Sequence, residues 1–113
     1  MSGFEKLIIY QKSIEGTKEI YNLVSKPAFK RDFSLVDQIK RAAMSVTANI
    51  AEGYGRNSKK EKSYFLTVSL GSANEVIAFL DIIQAIYNLD VNSQRLFYTQ
   101  LGKQIYTFRN KLH

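Results

Sequence analysis

Cysteine is absent from this 113-residue chain, tryptophan is absent, proline occurs once and histidine once. Without cysteine there is no disulfide framework, no thiolate metal site and no thiol nucleophile, so nothing points to an oxidising compartment. The single histidine, His113, is the last residue, and no Glu-x-x-His occurs. Neither a nucleophile–base pair of the common kind nor a ferritin-like dimetal site can therefore be assembled within one chain. We expect no enzyme, no metal and no cofactor. The N-terminus lacks a basic segment followed by an apolar one, and no later stretch reads as a membrane span, so the expected location is cytoplasmic, away from membranes.

What is present is an ordinary globular composition, 45% hydrophobic and 23% charged, in a length that suits one domain over residues 1–113. The formal charge is +6. Residues 26–62 hold nine cations against four carboxylates, so +5 of that charge falls in one stretch. The expectation is a positive field concentrated on one part of the fold, which favours a polyanionic partner.

Four segments show helical periodicity, and none alternates with period two. The first places Phe4, Leu7, Ile8, Ile14, Tyr21 and Val24 near one face, and Pro27 stops it. The second opens at Ser34, read as an N-cap, with an apolar stripe of Leu35, Ile39, Ala42 or Ala43, Val46 and Ile50. Gly53 fits a left-handed position past its end. Ser58 and Glu61 form an S-x-x-E capping box that starts the third helix, which turns Phe65, Val68, Ser72, Val76, Phe79, Leu80 and Ile83 inward as far as Tyr87. After a break at Asn88-Leu89-Asp90, Asn92 caps the fourth helix, Val91 and Leu96 are placed as a staple, and Leu96, Leu101, Ile105, Phe108 and Leu112 are buried. Short connections join antiparallel neighbours. The predicted fold is all-α, an antiparallel up-down-up-down four-helix bundle.

Polar and small residues interrupt these stripes. Gln38, Arg41, Ser45, Asn49 and Glu52 form a polar row on the second helix. It is either a solvated face or a partly buried seam in which Glu75 partners Arg41. Gly71 costs the third helix about 1 kcal/mol relative to alanine, so something is expected close to it, in the same chain or in a neighbouring subunit. Arg56, Lys59, Lys60 and Lys62 surround the turn after Gly53 and Gly55, interleaved with Tyr54, Tyr64 and Phe65. Lysines that neutralise phosphates beside aromatic platforms suit a nucleic acid, and Lys59 and Lys60 stand against the helix dipole. Tyr10, Tyr98 and Tyr106 fall off or at the edge of their stripes, and grouped surface aromatics mark protein interfaces.

The run Gln38-Ile39-Lys40-Arg41-Ala42-Ala43, then Ser45-Val46, then Asn49-Ile50-Ala51-Glu52-Gly53-Tyr54-Gly55-Arg56-Asn57-Ser58, with Glu61 and the later Gly71-Ser72 and Glu75, resembles a known family. Its members are small bacterial four-helix-bundle proteins first noticed as products of intervening sequences inside large-subunit ribosomal RNA genes, often labelled ribosomal proteins. The family includes the accessory variability protein of diversity-generating retroelements, which works with a reverse transcriptase. The resemblance spans nearly the whole chain, and implies a ring-shaped homopentamer with a positive surface suited to nucleic acid. The expected function is thus a non-enzymatic oligomer that binds RNA or DNA through Arg56, Lys59, Lys60 and Lys62. Arg41, Asn49, Glu52 and Glu75 would serve as polar orienters near the seam of helices two and three. The alternative is a scaffold that docks an acidic protein partner or a reverse transcriptase.

Overall fold

The computed structural model describes Gly3 and residues 7–112; Phe4, placed above on the first apolar face, lies outside them. Four helices follow one another, α1 (Ile8–Val24), α2 (Phe33–Tyr54), α3 (Lys59–Tyr87) and α4 (Asn92–Asn110), with a 3-10 turn at Pro27–Phe29 between the first two. Each helix packs on two neighbours, α1 on α2 and α4, and α3 on α2 and α4, with α2 and α3 in the most extensive contact. The result is the predicted antiparallel four-helix bundle, a rod about 44 Å long and 22 × 20 Å across.

The aliphatic stripe of α2 is buried as the spacing predicts: Leu35, Ile39, Ala42, Ala43, Val46 and Ile50 all face the core. Its start differs. Asp32, not Ser34, is the N-cap, and its carboxylate accepts from the Leu35 amide at 3.3 Å. The Tyr87 hydroxyl donates to the same carboxylate at 2.6 Å, so a tertiary contact decides between two neighbouring capping residues. At the other end of the helix Gly53 is not left-handed; no glycine among the described residues has a positive φ. Gly53 lies inside the last turn of α2, buried, where an added Cβ would stand 3.1 Å from Phe65 Cβ and 3.3 Å from the Lys62 carbonyl. Close approach of α3, rather than backbone freedom, requires glycine there. The left-handed cap belongs to Asn88, which ends α3 at φ 53°.

Helix α1 is rotated from its predicted phase. Ile8, Ile14 and Tyr21 are exposed, while Ile9, Ser13, Gly16, Ile20, Leu23 and Val24 are buried. Small residues carry the contact: Thr47 Oγ1 donates to Ser13 Oγ at 2.8 Å, and Gly16 leaves the space that Tyr98 fills. Helix α4 shows the same effect. Tyr98 is fully buried, and Leu96, expected to be buried as the staple partner of Val91, is 58% exposed. Val91 rather than Asn92 is the capping position, and Asp90 Oδ1 accepts from the Asn92 amide at 3.0 Å. In α3, Leu66, Ser69, Ser72, Ala73, Val76, Leu80 and Ile83 face the core, so Phe65 and Val68 sit one row outside the predicted one.

A polar line threads the α2–α3 seam. Ser45 and Ser72 hydroxyls meet at 2.7 Å, Asn49 Nδ2 donates to the Ser45 carbonyl and hydroxyl at 2.9 and 3.0 Å, and Ser69 Oγ donates to the Val46 carbonyl at 2.8 Å. Satisfying these groups internally lets small side chains pack without stranding polar atoms. Asn49 is thus an orienter at the seam. Arg41 and Glu75 are not: both are exposed, and Arg41 donates to Asp37 at 2.9 Å on its own helix. Against the reading of the sequence, α3 is long and apolar enough to cross a membrane by length and composition. Its apolar residues cover two sides, the core and an outward row.

Candidate nucleic-acid interface

The turn between α2 and α3 is built by hydrogen bonds that leave little slack. The Gly55 amide donates to the Ala51 carbonyl at 3.2 Å and the Arg56 amide to the Gly53 carbonyl at 3.2 Å, ending α2. Ser58 Oγ accepts from the Glu61 amide at 3.1 Å and starts α3, the serine half of the predicted capping box. Gly55 has a negative φ and only ordinary contacts around a notional Cβ, so nothing in the structure requires glycine at that position.

Two of the four predicted cations hold this turn. Arg56 pairs with Glu52 and lies over the Phe65 ring at 4.8 Å. Lys62 Nζ donates to the Tyr54 carbonyl at 2.8 Å, closing an orphan carbonyl at the end of α2, and stands 5.3 Å from the Tyr54 ring. Lys59 and Lys60 are different. Both are exposed in the first turn of α3, where unsatisfied amides already make the local field positive. Tyr64, 61% exposed, stands one turn beyond Lys60 and packs edge-on against Phe65 at 5.0 Å between ring centres. It is the aromatic at this end most open to a stacking base.

Two cations that the sequence reading did not include join them from α4. The antiparallel order returns the C-terminus of α4 to the α2–α3 turn, and Arg109 Nη1 donates to Thr67 Oγ1 of α3 at 3.1 Å while its guanidinium covers Tyr106 at 4.9 Å. Lys111 follows, exposed. Among the described residues this end therefore carries Arg56, Lys59, Lys60, Lys62, Arg109 and Lys111 against Glu52 and Glu61, a net +4. The signal available in the sequence was topology: in an up-down-up-down bundle the last helix ends where the third begins.

The linear charge cluster of residues 26–62 does not survive folding. Its two halves sit at opposite ends of α2, whose 22 residues span about 33 Å. Lys26, Lys30 and Arg31 precede α2 and belong to the far end. The cations gathered at the turn end are four of that stretch, Arg56, Lys59, Lys60 and Lys62, together with Arg109 and Lys111. Among the described residues no group of histidine and carboxylate side chains is arranged to hold a metal ion.

Comparison with known proteins agrees with the fold. A crystal structure of a protein of unknown function from the S23 ribosomal protein family of Bacteroides thetaiotaomicron superposes with a TM-score of 0.82 at 24% identity, covering 90% of this chain and 98% of that one. No curated protein is found similar to the chain. The family model described as 23S rRNA-intervening sequence protein matches residues 5–107. By that match over most of its length, the chain belongs to the 23S rRNA-intervening sequence protein family.

Proposed function

We propose that this chain is a non-enzymatic, cytoplasmic, self-associating protein that binds RNA or DNA by phosphate contacts at the α2–α3 turn end of its bundle. One observation carries the reading. Lys59 and Lys60 occupy the first turn of α3, exposed and without a carboxylate partner among the described residues, at the helix end where cations are disfavoured. A phosphate placed there would meet both lysines and the dipole end of α3 together, which turns a local conflict into attraction. Arg109 and Lys111 widen the positive surface across the rod. The assembly number implied by the family resemblance is five, which would repeat this surface around a ring.

The test is binding of RNA and DNA at several salt concentrations. Phosphate-dominated binding gives a linear fall of log affinity with log salt, with slope about −0.9 per phosphate neutralised on duplex DNA. Reversing Lys59 and Lys60 to glutamate should reduce that slope by about 2 per contacting protomer. Reversing Lys26 and Lys30, at the far end, should leave it nearly unchanged. Equal losses from both pairs would show only net charge at work and would sink the assignment to this end. Absence of binding at low salt would transfer the surface to an acidic protein partner, a reverse transcriptase among the candidates.

A further inference from the structure

Of the seven tyrosines, only Tyr64 and Tyr106 are more than half exposed, at 61% and 51%. Both stand at the turn end of the bundle, beside the cations described above. Tyr64 follows Lys60 by four residues and precedes Thr67 by three, so the three side chains are neighbours on one side of α3. Thr67 Oγ1 accepts from Arg109 Nη1 at 3.1 Å, and the same guanidinium covers the Tyr106 ring at 4.9 Å. Lys60, Tyr64, Thr67, Arg109 and Tyr106 thus form one line across the α3–α4 seam, in which a cation is followed by a ring twice.

Neither ring fills the core, yet both are held in place. Tyr64 meets Phe65 edge-on at 5.0 Å between ring centres, and Phe65 in turn lies under the Arg56 guanidinium at 4.8 Å. Tyr106 is covered by Arg109. Neither Lys60 nor Arg109 has a carboxylate partner among the described residues. The hydrogen bonds of Arg109 go to Thr67 and Asn110, which leave its charge unneutralised. Exposed rings scattered singly need no explanation, but two positioned rings beside unpaired cations do.

We propose that the ligand of this end is a single-stranded nucleic acid, whose unpaired bases stack on Tyr64 and on the Tyr106–Arg109 pair while its phosphates lie against Lys59, Lys60 and Lys111. The proposal rests on the nucleic-acid reading above and names the form of the ligand. In a duplex each base face is covered by its neighbours in the stack, so a double helix would meet the cations and leave both rings in water. An unpaired base offers its face to an aromatic ring or a guanidinium plane. A single strand can also bend to follow the line from α3 to α4. Stacking of this kind is indifferent to base identity, so RNA and DNA strands should both bind.

The experiment measures, by fluorescence anisotropy at one low salt concentration, the affinity of the full chain for three kinds of ligand: a short mixed-sequence single strand in RNA and DNA form, its duplex, and an abasic strand with the same number of phosphates. The single strand should bind about tenfold or more tighter than the abasic strand. Tyr64→Ala and Tyr106→Ala should each lower single-strand affinity about fivefold or more, and the double variant should bind it no better than the abasic strand. Tyr64→Phe, which keeps the ring, should bind as the wild type does. None of these variants should change affinity for the duplex or the abasic strand, an outcome that general destabilisation would not give. Reversal of Lys59 and Lys60, by contrast, should weaken every ligand. Equal affinity for the base-bearing and abasic strands, or tyrosine variants that weaken all ligands alike, would overturn the stacking assignment and leave the phosphate reading standing. No binding of any of these ligands would overturn both.

Discussion

At the end of the bundle formed by the α1–α2 and α3–α4 connections, acids stand where helices begin: Asp32 caps α2 and Asp90 accepts from the first amide of α4. At the opposite end α3 begins with Lys59 and Lys60. The first arrangement agrees with the helix dipole and the second opposes it. The first end is also tied across the fold, since the Tyr87 hydroxyl binds Asp32 and the Tyr87 ring meets Phe29 at 4.6 Å. Lys26, Lys30 and Arg31 are exposed there and without an ion-pair partner among the described residues, but none of them stands in the first turn of an α-helix. At the turn end, Arg56 and Lys62 hold the backbone and Lys59 and Lys60 hold nothing. The contrast teaches that a run of cations in sequence says little until the fold has assigned some of them to structure. Those left over, in a place that stability alone disfavours, are the ones a ligand explains.

The largest effect on this comparison should come from closing the space on which the turn end is built. Gly53→Val drives a branched side chain toward Phe65 Cβ and the Lys62 carbonyl and should cost about 1–3 kcal/mol, the usual range for overpacking. Gly55→Ala, two residues on, meets only ordinary contacts and should be neutral or slightly stabilising. Thermal melts of both variants check the pair. Equal losses would mean that the turn, and not the approach of α3, sets the requirement for glycine.

A smaller effect sharpens the electrostatic side. Replacing Lys59 and Lys60 by glutamate puts negative charge in the first turn of α3 and should raise stability by about 0.5–1 kcal/mol at low ionic strength, while removing nucleic-acid binding. A gain in melting temperature alongside a loss of binding is the signature of residues kept for function at the expense of the fold. Loss of both together would make the lysines structural.

Much of this architecture is legible in the residues themselves. The aliphatic spacing of α2 places its core face correctly because every buried position except Gly53 is alanine or a larger aliphatic. The same procedure misplaces α1 and α4, where Ser13, Gly16 and Gly102 are buried and Ile8, Ile14 and Leu96 are not. Hydrophobicity does not register a glycine that makes room for Tyr98, or a serine whose hydroxyl is satisfied by Thr47. Tyr98 itself illustrates the limit. Its hydroxyl is buried without a hydrogen-bond partner of good geometry, and burial, offset in part by the Thr17 hydroxyl nearby, pushes its pKa above the ordinary tyrosine value. The serine cap of α3 is legible because it is local; Asp32 outcompetes Ser34 through Tyr87, 55 residues away. Arg109 and Lys111 reach the candidate site by topology, which no local pattern encodes.

The smallest predicted effect isolates the tied end. Donation to the Asp32 carboxylate is the main cause, with some loss of solvent, of a Tyr87 pKa raised above its ordinary value of 10.0. The folded chain therefore holds this proton more tightly than the unfolded one. The stabilisation is complete below the unfolded value near 10, and is lost as pH rises through the folded value, because the unfolded state sheds the proton first. Melting temperature should fall above about pH 10 in the wild type. Tyr87→Phe should melt lower at neutral pH and fall less steeply in alkali, so that the two curves converge. Tyr98, raised by burial, adds a fall of the same sign to both proteins and cancels in their difference. Lys59→Glu and Lys60→Glu, at the far end of the rod, should leave that difference unchanged. Parallel curves for wild type and Tyr87→Phe would mean that the bond to Asp32 contributes nothing, and the distinction between a tied end and an open one would then rest on the helix dipoles alone.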